Sequence, residues 1–144
     1  MKNLSSILFR KMRRSLKFLK SLLNLWEFIQ NYIGKREVKQ HSLSLSHHFK
    51  DSEIYYITHD DSHCCGKYIF INLNTDDMII LRHEYGHRIQ SKLLGVLFYP
   101  LIFIPSYIHF LYWNKFRNDD WNEYYNFYCE KWANSLTKKK GVIT

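Results

Sequence analysis

The chain of 144 residues has the length of one compact domain, and its 46% hydrophobic and 17% aromatic residues can bury a core, which excludes wholesale disorder. The formal net charge of +8 is unevenly distributed: residues 1–40 hold ten Lys or Arg and two acidic residues, whereas residues 41–144 hold eleven of each. The three cysteines, two of them adjacent, do not make the disulfide framework of a small secreted domain, which favours a reducing compartment.

A long basic amphipathic helix is predicted over residues 4–33, with Gly34 as its stop. Apolar residues recur there at spacings of three and four, while most lysines and arginines fall on other faces. Such a helix suits either a membrane interface or packing against its own domain. An early apolar run is interrupted by Arg10 and Lys11, so the segment is not expected to be a secretory signal.

Two strands are predicted next, over residues 54–58 and 67–73, because both runs are rich in aromatic and β-branched residues. The polar stretch at residues 59–65 has the residue types of a metal site but no closed zinc spacing. It is therefore predicted to be a loop with reduced thiols. Residues 74–77 supply an N-cap and first-turn acids for the helix that follows.

That helix carries the sequence RHEYGHRIQS, in which His83 and His87 lie four residues apart. Residues four apart on a helix point the same way, so the two imidazoles can bind one tetrahedral Zn²⁺. Glu84 lies about 100° around the helix, where it can be the general base that takes a proton from a zinc-activated water. Gly86 costs about 1 kcal/mol of helix stability relative to alanine, which is explained if another element approaches there. The alternative is a solvated helix with a Glu84–Arg88 ion pair.

The segment at residues 93–113 has no charged side chain over 21 positions, which is long enough to cross a bilayer. Pro100 and Pro105 argue against one straight helix. A broken helix, a hairpin that dips into the membrane and two short helices in a core all stay open. Together with the basic helix, the segment favours a membrane surface as partner, through residues 1–33 and 93–113.

A catalytic zinc site needs a third protein ligand, and a histidine six residues after the second is excluded because that position is Leu93. A further helix is predicted at residues 121–136. In it Glu130 is the best ligand candidate and Glu123 the reserve, and Asn134, on the face of Glu130, can accept a hydrogen bond from a ligand imidazole. An aromatic stripe at helical spacing is predicted to be core, and it comprises Trp121, Tyr125, Tyr128 and Trp132.

An oxyanion formed during acyl transfer also needs a hydrogen-bond donor. The sequence leaves four candidates open, which are Tyr107, His109, Tyr124 and Tyr128. As the only histidine in the apolar segment, His109 is otherwise expected to be a hydrogen-bonded core residue, and Cys129 is expected to be a small core filler.

The order of these motifs resembles gluzincin-type zinc metallopeptidases, in which HExxH is followed by E-x-x-x-D. It is similar in particular to a group of small bacterial proteins through the runs GKYIF, RHEYGH and FYCEKWAN of residues 66–136. The resemblance implies His83, His87 and Glu130 as zinc ligands and Glu84 as the general base.

The resemblance also implies an edge strand on which an extended peptide substrate lies, formed by Tyr68, Ile69, Phe70 and Ile71. Where the family pattern has aspartate, this chain has Asn134, which brings no negative charge to a zinc-bound imidazole. Weaker zinc affinity or activity is therefore expected, with the site retained.

The sequence thus predicts an α+β fold in which a basic amphipathic helix at residues 1–40 precedes a zincin-like domain at residues 41–144. That domain contains a small sheet, the HExxH helix, a broken apolar segment and a C-terminal helix. The predicted function is zinc-dependent hydrolysis of peptide or protein substrates, with Zn²⁺ as cofactor. The alternative is a non-catalytic zinc-stabilised membrane-associated module. We expect association with the cytoplasmic face of a membrane and no secretion. Nucleic acid is not an expected partner, because Phe18 is the only stacking aromatic in the densest basic cluster.

Overall fold

The computed structural model describes residues 4–58, 61–75, 77–117 and 121–139, and it has the predicted α+β class, with helices around a small mixed sheet. The α-helices are α1 (Leu4–Gln40), α2 (Asp77–Leu94), α3 (Ile104–Phe116), α4 (Trp121–Tyr124) and α5 (Tyr128–Lys139). The strands are β1 (His47–Phe49), β2 (Ser52–Ile57), β3 (His63–Cys65) and β4 (Tyr68–Asn72).

The sheet has the strand order β1-β2-β4-β3, with β2 and β4 parallel and the two outer pairs antiparallel. The prediction of an edge strand is therefore wrong. It concerned Tyr68, Ile69, Phe70 and Ile71. These residues lie in β4, which pairs with β2 on one side and with β3 on the other, and their side chains are buried. The outer strand beside β4 is β3, in a stretch predicted to be a loop, because a three-residue strand is too short to show an alternating pattern.

Each face of the sheet buries its own apolar cluster, because side chains alternate along a strand. On one face Ile54, Ile69 and Ile71 pack against Leu81 of α2. On the other face Val38 of α1 packs against a cluster formed by Tyr55, Ile57, Tyr68 and Phe70. The second half of α1 and the histidine-bearing helix α2 therefore cover opposite faces of the sheet.

The sequence predicts that α1 stops at Gly34, but the helix continues to Gln40. Gly34 is buried, and a Cβ atom there would lie 2.6 Å from Tyr68 Cδ2 and 2.7 Å from the Cys65 carbonyl oxygen. The glycine is therefore explained by the close approach of the helix to the sheet and not by helix termination.

The apolar segment at residues 93–113 forms a succession of short helical elements, which corresponds to the predicted broken helix. After α2 come a 3-10 turn at Gly95–Leu97, a π-helical turn at Tyr99–Phe103 and then α3. Pro100 and Pro105 each lie in the first two positions of an element, where a helix does not need the missing N–H. Within the described ranges, none of the helices has the length and apolar character needed to span a membrane.

The C-terminal region forms two helices, α4 and α5, instead of the single helix predicted at residues 121–136. The aromatic stripe is core only in part: Tyr125 and Trp132 are partly buried, whereas Tyr128 is 52% exposed and donates a hydrogen bond to the Leu101 carbonyl at 2.6 Å. The side chain of Trp121 lies outside the described residues, as does Asp76, one of the four residues predicted to supply the N-cap and first-turn acids of α2.

Arg88 does not pair with Glu84 as the sequence-based alternative expects. It turns to the loop between β1 and β2, where its Nη2 lies 2.9 Å from Asp51 Oδ2. Lys92 Nζ lies 2.8 Å from the same oxygen. The hydrogen bond from Arg88 outweighs burial and, with Lys92, holds the pKa of Asp51 well below its usual range. Arg88 is almost fully buried, so this cluster fixes α2 to the β1–β2 loop.

Replacing Asp51 with Asn is expected to lower the free energy of unfolding by about 1–2 kcal/mol at neutral pH, because a neutral amide cannot form an ion pair with the buried guanidinium of Arg88. A carboxyl with a depressed folded-state pKa stabilises the fold above its unfolded pKa, about 3.9, and loses this effect as the pH falls. The deficit of the variant should therefore shrink at acid pH. Denaturant unfolding at neutral and acid pH measures it, and an unchanged deficit would contradict the assignment.

Candidate metal centre

The two histidines of the RHEYGHRIQS sequence project from the same side of α2, as the spacing predicts. The Nε2 atoms of His83 and His87 lie 3.1 Å apart, and the two rings meet edge to face with their centroids 4.6 Å apart. Because Leu81 anchors the helix to the sheet, the histidine side of α2 faces away from the strands and towards α5.

Glu130 of α5 completes a triangle with the two histidines. Its Oε2 atom lies 3.0 Å from His83 Nε2 and 3.1 Å from His87 Nε2, and its side chain is 1% exposed. Glu123, the reserve candidate, is exposed and pairs with Arg117. Among the described residues, His83, His87 and Glu130 are the group of side chains placed to hold one metal ion.

Amide side chains fix the outer nitrogens of both imidazoles. Gln90 Nε2 donates to the Cys129 carbonyl at 2.8 Å, so its Oε1, 2.8 Å from His87 Nδ1, accepts a hydrogen bond from that nitrogen. Asn134 Oδ1 lies 3.1 Å from His83 Nδ1 and accepts in the same way, where the sequence predicts this contact. With a proton on Nδ1, a neutral imidazole presents only a lone pair at Nε2. In that form each imidazole would offer one lone pair to a bound cation, beside the carboxylate oxygen of Glu130.

A third polar side chain holds Glu130 itself. Ser106, on α3, donates its hydroxyl to Glu130 Oε1 and so leaves Oε2 directed at the histidines. Burial raises the pKa of Glu130, but the hydrogen bonds with His83, His87 and Ser106 together lower it well below its usual range. Glu130 is therefore an anion, as a metal ligand must be.

Glu84 is buried next to this triangle. Burial raises the pKa of Glu84 to about 7, and the nearby histidines, His83 and His63, oppose the shift while the negative charge of Glu130 adds to it. Its carboxylate takes part in none of the hydrogen bonds found among the described residues. A carboxyl group with a pKa near neutrality can both accept and return a proton at physiological pH.

Tyr125 is a residue of the site that the sequence places only in the aromatic stripe. Its ring stands edge-on to His83, with the centroids 5.1 Å apart. Burial raises its pKa, and the negative charges of Glu84 and Glu130 raise it further, so the hydroxyl keeps its proton. Tyr125 follows the end of α4, where the chain leaves the helix, so no helical spacing relates it to Glu130.

Of the four predicted oxyanion donors, Tyr124 lies beside the site. Burial and the negative charges of Glu130 and Glu84 raise its pKa, against a hydrogen bond with Ser106 that lowers it. The other three lie in other environments. Tyr128 binds the backbone of the apolar segment, and Tyr107 is half-exposed and stacks on Phe103. His109 stacks on Tyr124, with the centroids 4.8 Å apart, and its Nε2 lies 3.3 Å from the carbonyl oxygen of the same residue. His109 is thus hydrogen-bonded, as the sequence predicts, but only partly buried, and the fully buried Cys129 is the predicted core filler.

His63 of β3 links the sheet to α1. Its Nε2 lies 2.9 Å from Glu37 Oε1. Burial lowers the pKa of His63, but the bonds to Glu37 and to the Asp61 carbonyl outweigh it and raise the pKa to about 9. The neighbouring thiols lie on opposite faces of the sheet, since Cys64 packs on the α2 side and Cys65 on the α1 side.

No protein-family model matches this chain, and neither the curated proteins nor the solved structures include a significantly similar one.

Proposed function

We propose that the chain is a zinc-dependent metallopeptidase of the gluzincin type. The observation that carries the proposal is the triangle of His83 Nε2, His87 Nε2 and Glu130 Oε2, with edges of 3.0–3.1 Å. Tetrahedral zinc with bonds of about 2.0–2.1 Å separates its ligand atoms by about 3.3 Å. A small outward adjustment of the three side chains therefore accommodates the ion.

The donor set also favours zinc. Two imidazole nitrogens and one carboxylate oxygen suit Zn²⁺ better than Mg²⁺ or Ca²⁺, which prefer oxygen ligands. Three protein ligands leave a fourth tetrahedral position open, as in catalytic sites, whereas structural zinc sites have four protein ligands. The neutral partners Gln90 and Asn134 orient the imidazoles without adding charge, so the affinity for zinc is expected to be lower than with an aspartate at residue 134.

In the proposed reaction, bound Zn²⁺ would activate a water and polarise the scissile carbonyl. Glu84 accepts the proton of the attacking water and passes it to the leaving amine, for which its pKa of about 7 is well matched. Tyr125, protonated and close to both carboxylates, is the proposed donor to the oxyanion. Gln90, Asn134 and Ser106 hold the imidazoles and Glu130 in place.

The peptide-binding strand is reassigned from β4 to β3. Both sides of β4 are paired, whereas β3 is an outer strand of the sheet and its Cys64 packs on the side covered by α2. The charge of Glu84 acts on both His63 and Cys64, which places β3 near the proposed base. An extended substrate that added to the side of β3 on which no described strand pairs would pass close to Glu84.

Replacing Glu84 with Gln tests the proposal. The variant should keep one zinc per chain, because Glu84 is not a ligand, and should hydrolyse a library of fluorogenic peptides about 10²–10⁴-fold more slowly. Glu123→Gln, an exposed change of the same kind, is the control and should leave both properties unchanged. Two results would favour the alternative of a non-catalytic metal that joins α2 and α5. In the first, Glu84→Gln retains zinc and hydrolyses peptides as fast as the wild type. In the second, both proteins retain zinc and neither hydrolyses any peptide.

A further inference from the structure

The first half of α1 stands clear of the rest of the described chain. All residues from 8 to 22 are exposed, including large apolar side chains such as Leu8, Phe9, Met12, Leu16, Phe18 and Leu19. A helix in water owes most of its stability to the packing of an apolar face. This half of α1 therefore has an apolar face to bury and no described element that covers it.

The uncovered face continues the one by which α1 packs on its own domain. A Cβ atom on Gly95 would lie 2.7 Å from Leu23 Cδ2, and Trp26 is buried against Phe98 and Ile102. At helical spacings of three and four, the same side of the helix carries Leu8, Met12, Leu16 and Leu19. Other sides of the helix carry the cations Arg10, Arg13, Arg14, Lys17 and Lys20.

Aromatic contacts connect this face to the apolar segment. Trp26 meets Tyr99 edge to face at 5.8 Å, Tyr99 packs on Phe103 at 4.8 Å, and Phe103 stacks on Tyr107 at 6.2 Å between centroids. From there the outer side of α3 continues with the exposed residues Ile104, Ile108, Leu111 and Tyr112. We call this continuous region, from Leu8 to Tyr112, the apolar surface.

We propose that the apolar surface docks on an anionic lipid bilayer, with the first half of α1 lying in the interface. The apolar side chains would enter the acyl boundary, and the cations beside them would reach the lipid headgroups. Residues 1–26 contain seven Lys or Arg and no acidic residue, so the attraction to anionic lipid is not offset within that stretch.

The charge also decides against other occupants of the apolar surface. Pairing of two copies through the first half of α1, up to residue 26, would bring two sets of cations together with no acidic residue between them, which is unfavourable. Nucleic acid would satisfy the cations but would leave the leucine stripe in water. An anionic bilayer accommodates both the cations, at its headgroups, and the leucine stripe, in its acyl region. The docking does not depend on the metal centre, although α3 contributes Ser106 to that centre from its other side.

Flotation of the full chain with vesicles tests the proposal, with phosphatidylcholine alone compared with phosphatidylcholine plus phosphatidylglycerol. Strong binding is expected only to the anionic vesicles, and it should weaken as salt is raised. Leu16→Gln with Leu19→Gln should weaken binding by more than about a hundredfold. Both positions are exposed, so the variant should remain folded, which circular dichroism verifies.

Matched lysine pairs distinguish docking from a general charge effect. Lys17→Gln with Lys20→Gln should weaken binding about thirtyfold, since each cation near the surface contributes about 1 kcal/mol. Lys35→Gln with Lys39→Gln removes the same charge from the half of α1 that covers the sheet, and should change binding by less than about threefold. Equal effects of the two pairs, or no binding of the wild type to anionic vesicles, would overturn the proposal. A dimer dissociated by the leucine changes, or preferential binding to duplex DNA, would also overturn it.

Discussion

Glu130→Gln is expected to abolish metal binding while leaving the metal-free protein folded. The Glu130 carboxylate lies 3.0–3.1 Å from the Nε2 atoms of both His83 and His87. A Gln amide in its place keeps the shape of the side chain and can still hydrogen-bond to an imidazole, so the metal-free variant should remain folded. Its zinc affinity should fall by more than about a hundredfold, since loss of a partner outside the ligand set alone costs about 10–100-fold.

Thermal unfolding with and without zinc measures both effects. Zinc that binds only the folded state raises the melting temperature of the wild type, and it should have no such effect on Glu130→Gln. Glu123→Gln is the matched control, since it makes the same change at the carboxylate that the sequence offers as the reserve ligand. If zinc stabilised Glu130→Gln as strongly as the wild type, the three side chains would not form the metal site.

The features of this centre that could be predicted from the sequence are those that depend on one helix at a time. His83 and His87 share a side of α2 because four residues make about one turn. Glu130 and Asn134 share a side of α5 for the same reason, and both meet the histidines as predicted. Gly86 indicated that another element comes close to α2, and that element is α5.

The features that the sequence could not supply depend on where the chain changes direction. Tyr125 reaches the centre from the break between α4 and α5, and Ser106 reaches it from α3, after the bends of the apolar segment. Local propensity cannot give the orientation of such segments relative to one another. The edge strand was misplaced for a related reason, because β3 is only three residues long and its pairing with β4 is a tertiary contact.

Gly34 shows the same limit in α1. A glycine near the end of a periodic stretch is a reasonable helix stop, and the sequence offers no signal that a sheet lies against it. The structure places Tyr68 and the Cys65 carbonyl within 3 Å of the missing Cβ atom, so the residue is determined by packing. Gly34 and Gly86 therefore have the same cause in two different helices.

Gly86→Ala is expected to destabilise the protein, although alanine favours a helix by about 1 kcal/mol over glycine. A Cβ atom at residue 86 would lie 2.3 Å from the Ala133 carbonyl oxygen, 2.6 Å from its carbonyl carbon and 2.9 Å from its Cα. These are backbone atoms of α5, so relief of the clash requires α5 to move by about 1 Å. We expect a loss of about 1–3 kcal/mol or more in the free energy of unfolding.

The same movement should weaken the metal centre, because Glu130 lies one turn before Ala133 on the helix that is displaced. Gly34→Ala is the comparison, since it introduces a similar clash where α1 meets the sheet, away from the three ligands. Denaturant unfolding should show a loss of stability in both variants, whereas zinc titration should show weaker binding only in Gly86→Ala. A Gly86→Ala protein that is more stable than the wild type, as helix propensity alone predicts, would mean that α2 and α5 do not meet at this glycine. The packing that brings Glu130 of α5 next to the two histidines of α2 would then be absent.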